Sequence, residues 1–453
     1  MTGSDPELVE GLGPGTGRNG APLVGALPPG SRLLHIGLPK TGTTVVQRGA
    51  ALNRDTLAAH GVCYPGSGFN HRDQTAALMQ RPLGWRGRGA KLHARPVWDA
   101  LMREAVSKAS WRDGRTFISH EFVCESTDEQ ARRFVDELDP EHLHVAITLR
   151  GYADLLPSNW QQFVKSGHTG HFEDWLADAL DGRTRRPTIR TFVRRNDQTA
   201  ILRRWIRLLG ADRVSVVIAD KGRPTQLTDA FEDLLGLPRA ATAARPAGGY
   251  VANRSLSAAE VELVRRINLI IAERGYDWRR YTSLIRHGVI ARMQECRQPG
   301  PDEAPLLLPE WAADRALQIA GRHAEAIAAS GCRVVGDLSA LTAPVRTVTS
   351  AAAPTELPVD AAREAVAGLI SATEGRGPFF DQAADGVEGR RISDPRLERF
   401  VGADGARQVL NAYRATRHLD GSTMAGVLAH RVTDAAGRLR QRLSGRASPA
   451  SRP

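Results

Sequence analysis

Short apolar runs recur through the first half of the chain, and each gives way to polar residues. Leu33-Leu34-His35-Ile36, Phe117-Ile118, Val145–Leu149 and Val214–Ile218 are the clearest. Runs this short, rich in β-branched residues and lacking polar alternation, predict strands buried on both faces, as in a parallel sheet. The expected strands cover 32–37, 116–119, 144–149 and 213–219. Between them, apolar residues return every three or four positions, the helical period. That pattern predicts helices over Thr43–Ala59, Asp128–Leu138 (capped at Thr127/Asp128), Ala153–Lys165, Phe172–Leu180, Asp197–Leu209 and 225–236. Strands alternating with helices predict the α/β class: three layers, with a mainly parallel sheet flanked by helices.

The second half changes the picture. A capping box at Ser257 and Glu260 opens another helix. Residues 341–358 are rich in Ala, Pro and Thr and read as a linker. Beyond it, 359–372, 405–418 and 422–443 read as helices, giving a helical C-terminal extension over 359–443. The last carries Arg431, Arg438, Arg440 and Arg442 and reads as a solvated basic helix. The expected organisation is a disordered lead-in over 1–30, one domain over 31–340, then linker, extension and a disordered tail over 444–453. The Gly/Pro-rich lead-in lacks the basic start and apolar core of a signal peptide.

Composition narrows the class. Apolar content of 42% with 25% charged residues fits a globular protein without a transmembrane segment. Four scattered cysteines, Cys63, Cys124, Cys296 and Cys332, show no metal-type pairing and fit free thiols in a reducing cytoplasm. The formal charge of +11 suits an anionic ligand. No nucleic-acid-binding signature accompanies it, so nucleic acid is not the expected partner.

The candidate chemistry begins at residues 35–47, HIGLPKTGTTVVQ. A strand enters a turn holding Gly37, Pro39, Lys40, Thr41, Gly42, Thr43 and Thr44, and a helix comes next. Glycine lets backbone approach an anion, the helix's first-turn amides point at it, and Lys40 adds charge. The threonine hydroxyls are further donors. This is not a Walker A loop, which needs Gly-Lys-Ser/Thr. A second strand ends at Arg150, and Ser158 lies eight residues later in a helix. A third ends in Ser119-His120-Glu121, which supplies two candidate bases on neighbouring positions.

Pro-Lys-Thr-Gly-Thr-Thr resembles the 5′-phosphosulfate loop of sulfotransferases that use 3′-phosphoadenosine 5′-phosphosulfate. Arg150 and Ser158 match the spacing of the family's 3′-phosphate ligands, although Gly151-Tyr152 stands where the family often has Asp-Pro. The resemblance covers roughly residues 31–275. It implies a P-loop-like fold, a hydroxyl acceptor (carbohydrate, glycolipid or secondary metabolite), Lys40 at the breaking bond, and Glu121 or His120 as base. The family's bacterial members often carry Ser-x-Glu here, which favours Glu121; a histidine needs less pKa adjustment near neutral pH, which favours His120. The resemblance also places Asn253 and Arg254 over the nucleotide. The implied chemistry needs no metal. The long segment 64–95, with His71, Trp85, Arg86, Arg88 and Lys91, is the expected acceptor-recognition loop, and Arg183, Arg185, Arg186, Arg190, Arg194 and Arg195 form a basic cluster that could guide an anionic acceptor. The rival readings are a P-loop-type nucleotide-dependent kinase and a non-catalytic anion- or glycan-binding protein.

Overall fold

A computed structural model describes residues 25–85, 92–108, 111–182, 186–220, 222–243 and 254–374. Arg86, Arg88, Lys91, Arg183, Arg185, Asn253, most of the expected lead-in, and the extension and tail beyond 374 lie outside the described residues. The chain divides into two compact units interleaved along the sequence. One comprises Met1–Asn159, Leu176–Gly248 and Leu308–Ser350; the other comprises Trp160–Trp175, Gly249–Leu307 and Ala351–Pro453.

The first unit is α/β. Its strands are β1 (Arg32–His35), β2 (Val62–Cys63), β3 (Arg115–Ser119), β4 (Leu143–Leu149), β5 (Val214–Ile218), β6 (Leu308–Pro309), β7 (Arg333–Val335) and β8 (Thr347–Val348). Six of them form one parallel sheet in the order β2-β3-β1-β4-β5-β7. The pleat divides the strands between two apolar layers. Leu34, Ile118, Val145, Ile147, Val214 and Val216 pack with Trp98, Phe134 and Trp205 on one face. Leu33, Phe117, Ala146 and Val217 pack with Val46 and Phe231 on the other. Burial on both faces is why these strands carry uninterrupted apolar runs. The chain leaves β1 toward one edge of the sheet and leaves β4 toward the other. The crevice beyond the C-terminal ends of these neighbours is therefore a topological switch point, where ligands of open α/β sheets bind.

All four expected strands are present. The short edge strands β2 and β7 escaped prediction because two or three residues carry no period. The expected helix over Thr43–Ala59 is two, α1 (Thr43–Leu52) and Arg54–Ala59, parted at Asn53. The Asn53 side chain donates to the carbonyls of Gly49 and Ala243, at 2.8 and 3.1 Å, instead of continuing the helix. Segment 64–95 is not wholly loop: Arg72–Met79 is a helix. Thr127 forms a full capping box with Gln130. Within the linker region, β8 pairs with β6.

The second unit is helical. Ser257 and Glu260 make the expected capping box at the start of Ala258–Glu273. Helix Val359–Thr373 packs on the π-helix Thr282–Ile290, and Gly288 and Gly368 meet there. A Cβ on Gly368 would stand 2.6 Å from the Gly288 carbonyl oxygen. Arg297, almost fully buried, pairs with Glu260, Glu303 and Asp360. Among the described residues, no helix is long and apolar enough to cross a membrane.

A buried charge cluster supports the segment after β3. Glu125 ends the 3-10 helix Glu121–Glu125, and its side chain is 0% exposed. Arg81, Arg194 and Arg195 converge on its carboxylate. Arg195 is itself buried, and it stacks over Trp85 and Phe122. Two members of the basic cluster and one recognition-loop candidate thus serve the frame rather than an acceptor. Replacing Glu125 by Ala would strand buried guanidinium charge. The expected cost is about 3–5 kcal/mol of unfolding free energy, read from urea denaturation; a cost within about 0.5 kcal/mol, the usual range for surface changes, would remove the cluster's supporting role.

Candidate active site at the ends of three strands

The loop after β1 is held before it turns. Ile36 N–H and Leu38 N–H donate to the carbonyls of Ala146 and Thr148, both at 3.0 Å, so the chain tracks β4 past the end of β1. Gly37, Lys40 and Gly42 then take positive φ, at 47°, 71° and 91°. At Gly37 the need for glycine is steric. A Cβ there would lie 2.4 Å from Thr43 Cγ2 and 3.1 Å from Glu121 Cβ. The loop passes between the start of α1 and the segment after β3 only because this residue has no side chain. Lys40 adopts the left-handed region without being glycine, a strained conformation of the kind that clusters at functional sites.

The N-terminus of α1 is open. Gly42 is its N-cap, with no side-chain cap and no acidic residue in the first turn. Val45 N–H donates to the Gly42 carbonyl at 2.9 Å, and the Thr43 and Thr44 amides before it are left for an external acceptor. Thr43 is buried, Thr44 is exposed, and Pro39 is buried. The Thr41 hydroxyl is not available to a ligand as expected. It is buried and donates to the Leu38 carbonyl at 2.7 Å.

Two cations meet at the loop. Arg150, the first residue beyond β4, donates from Nη1 to the Lys40 carbonyl at 3.4 Å and pairs through Nη2 with Asp154 at 3.1 Å. Its Nε is buried with no hydrogen-bond partner. Asp154 and Ser158 lie on one face of helix Tyr152–Val164, four residues apart. Lys40 is exposed at the loop surface. Desolvation by the surrounding protein nonetheless lowers its pKa, Arg150 lowers it further, and Glu121 opposes both; solvent access moderates all three.

The two base candidates part company. β3 ends at Ser119; His120 is extended, and Glu121 opens the 3-10 helix. The His120 side chain is 1% exposed and lies edge-on to Phe122, whereas the Glu121 side chain is 20% exposed. His120 Nδ1 stands 3.3 Å from Glu121 Oε2, at ion-pair distance. Gln47 Nε2 donates to the same oxygen at 3.1 Å. Burial alone would raise the Glu121 pKa; the nearby His120 charge and the hydrogen bond from Gln47 overcome it and hold the carboxyl at about 2.

Other expected contributors have different roles. His71 is buried, accepting the Ser119 amide on Nδ1 at 3.0 Å and pairing through Nε2 with the Pro65 carbonyl at 2.9 Å. Both nitrogens serve the backbone. Arg254 lies in the second unit, where its guanidinium engages Glu260 and the carbonyls of Met293 and Arg297. Gln47, His35 and Thr148 escaped the sequence reading. Their signal was polar residues in apolar strands, and at one buried position of α1, where the period asks for apolar ones.

No protein-family model matches this chain, and no curated protein does. Among solved structures it is similar to a sulfotransferase from Alicyclobacillus acidocaldarius, with 19% identity and a TM-score of 0.36. The match covers 56% of this chain and 99% of that one.

The buried imidazoles set an acid limit on stability. Burial holds His35 at about 3 and His71 at about 4, against an ordinary 6.5. Between those values and 6.5 the unfolded chain binds protons that the folded chain does not, so stability rises with pH through that window. Unfolding free energy should be flat above about pH 7 and fall as the medium is acidified below it. Glu121, depressed from 4.5 to about 2, adds a further loss on the way down. His35→Gln should flatten the upper part of the profile; a native profile flat between about pH 7 and about pH 4.5 would contradict these burials.

Proposed function

We propose that this chain is a sulfotransferase that takes the sulfuryl group of 3′-phosphoadenosine 5′-phosphosulfate and passes it to a hydroxyl on a carbohydrate, glycolipid or secondary metabolite. One observation carries the reading. Arg150 reaches the backbone carbonyl of Lys40 in the loop that leads into the uncapped start of α1, and Glu121 adjoins the same loop across Gly37. Two cations and free amides fit a ligand with two separate anionic groups, and the unpartnered Nε of Arg150 fits one of them. A partly exposed carboxylate beside them fits a proton acceptor. The resemblance of Pro39–Thr44, Arg150 and Ser158 to sulfotransferase motifs selects this nucleotide over ATP, as does the missing Gly-Lys-Ser/Thr.

Bound there, the nucleotide supplies an activated sulfuryl group. The amides of residues 41–44 and the Lys40 ammonium hold its 5′ side. Arg150 and the Ser158 hydroxyl grip the 3′-phosphate; Arg150 would exchange its contact with Asp154 for a phosphate. Glu121 is the preferred base over His120, because its side chain reaches solvent. At about 2 its carboxyl is ionised throughout the physiological range, so it is always ready to accept the acceptor's proton, though a weak base. Lys40 faces the negative charge that develops on the departing oxygen, which is where a preorganised cation contributes most.

Lys40→Ala should lower turnover by about 10²-fold or more, by analogy with loss of one oxyanion donor. Turnover is read as labelled sulfate transferred to a metabolite extract, and full activity in the variant would remove the assignment. By calorimetry the native protein should prefer 3′-phosphoadenosine 5′-phosphate to a nucleotide lacking the 3′-phosphate. Arg150→Ala should weaken that binding by about 10- to 100-fold, the loss of a charge-assisted contact, and shrink the preference. Equal affinity for both nucleotides in the native protein would refute the 3′-phosphate reading. Glu121→Gln should abolish turnover and spare nucleotide affinity, with His120→Asn milder. A dead His120 variant beside a working Glu121 variant reverses the two roles.

A further inference from the structure

Beneath the loop, a line of polar side chains crosses the apolar sheet. The pleat turns His35, Ser119 and Thr148 to the same face as Phe117, the layer that also holds Val46 of α1 and Phe231. All three are buried at 0% exposure. Gln47 Nε2 reaches Glu121 Oε2 at 3.1 Å and Ser119 Oγ at 3.2 Å. Ser119 Oγ is 2.8 Å from His35 Nδ1, and His35 Nε2 is 3.2 Å from Thr148 Oγ1. Thr148 Oγ1 is 2.8 Å from Thr41 Oγ1, which is 2.7 Å from the Leu38 carbonyl oxygen. The line therefore runs unbroken from the candidate base to the anion loop.

Its two ends set the direction of every hydrogen. A carbonyl only accepts, so the Thr41 hydroxyl donates to Leu38. Thr41 then accepts from Thr148, and Thr148 accepts from Nε2–H of His35. At the other end the Gln47 amide spends one hydrogen on Glu121 and one on Ser119, so the Ser119 hydroxyl donates onward to Nδ1. One state of His35 satisfies all of this: the neutral imidazole protonated on Nε2. A charged ring would aim a second donor at Ser119, and the serine's own hydrogen would lose its acceptor. Burial acts in the same sense; the Glu121 charge opposes it and that of His120 reinforces it.

We propose that His35 is the positioning residue of this site: neutral and protonated on Nε2, it links the orientation of the Glu121 carboxylate, through Gln47 and Ser119, to the Thr41 hydroxyl that pins the anion loop. The proposal rests on the sulfotransferase reading for the roles of Glu121 and the loop. It moves no proton. Its effect is that neither the base nor the loop can reorient without breaking a hydrogen bond of the line.

The test has two arms. In the native protein labelled with ¹⁵N-histidine, the His35 resonances, assigned by their loss in His35→Gln, should report a neutral Nε2–H ring from about pH 5.5 to about pH 8. A ring protonated on Nδ1, or one that titrates in that range, overturns the proposal. Second, neither Ser119→Ala nor Thr148→Val alters a group that touches the nucleotide. Each should weaken calorimetric binding of 3′-phosphoadenosine 5′-phosphate by about 3- to 10-fold, and the double variant should be no weaker than the worse single one, because the line is already broken. Losses that multiply in the double variant overturn the coupling. If the native protein binds no such nucleotide, the sulfotransferase reading fails, and the ring's protonation state alone decides the relay.

Discussion

The site depends on a steric constraint at Gly37. The C-terminal ends of β1, β3 and β4 lie side by side, so the segments leaving these three strands must share one crevice. The loop after β1 has to pass between Thr43 and Glu121, where a single methyl group would meet Thr43 at 2.4 Å. That narrow passage brings the loop after β1 against the segment that carries the Glu121 carboxylate. It also fixes the loop's exit into α1, where Arg150 reaches the Lys40 carbonyl. Parallel topology supplies the convergence, and the missing side chain allows it to close.

Holding such a site requires satisfied polar groups at its base, because an unpartnered buried donor costs about 1–3 kcal/mol. The line from Gln47 to Leu38 meets that requirement with each hydrogen placed. Beyond it, the Glu125 cluster anchors the other end of the short 3-10 helix that Glu121 opens. The candidate base is thus restrained twice: by the Gln47 hydrogen bond on its own carboxylate and by ion pairs to the buried Glu125 four residues on. Preorganisation of this kind lets a charged group act without rearranging during the reaction.

Electrostatic effects at the site oppose one another. Arg150 presses the Lys40 ammonium toward neutrality, while Glu121 supports its charge. His120 keeps Glu121 ionised against its burial. An arriving dianion would relieve the repulsion between Lys40 and Arg150, so the resting strain favours anion binding.

The sequence by itself determined the fold class and marked the candidate site residues. Four strands stood out because doubly buried strands need continuous apolar runs; the loop, Arg150, His120 and Glu121 stood out because each comes just after such a run, and Ser158 by its spacing from Arg150. Local signals are legible when a single segment carries their cause; the capping boxes at Thr127 and Ser257 are further examples. Tertiary structure decided what depends on residues far apart in the chain. It put Arg195 and Arg194 on Glu125 rather than on an acceptor, and gave both nitrogens of His71 to backbone. It buried His120 while leaving Glu121 partly open. It joined His35 to Ser119 and Thr148, which lie 84 and 113 residues away. Hydrogen-bond partners across a sheet are set by strand order and register, and no short stretch of sequence encodes either.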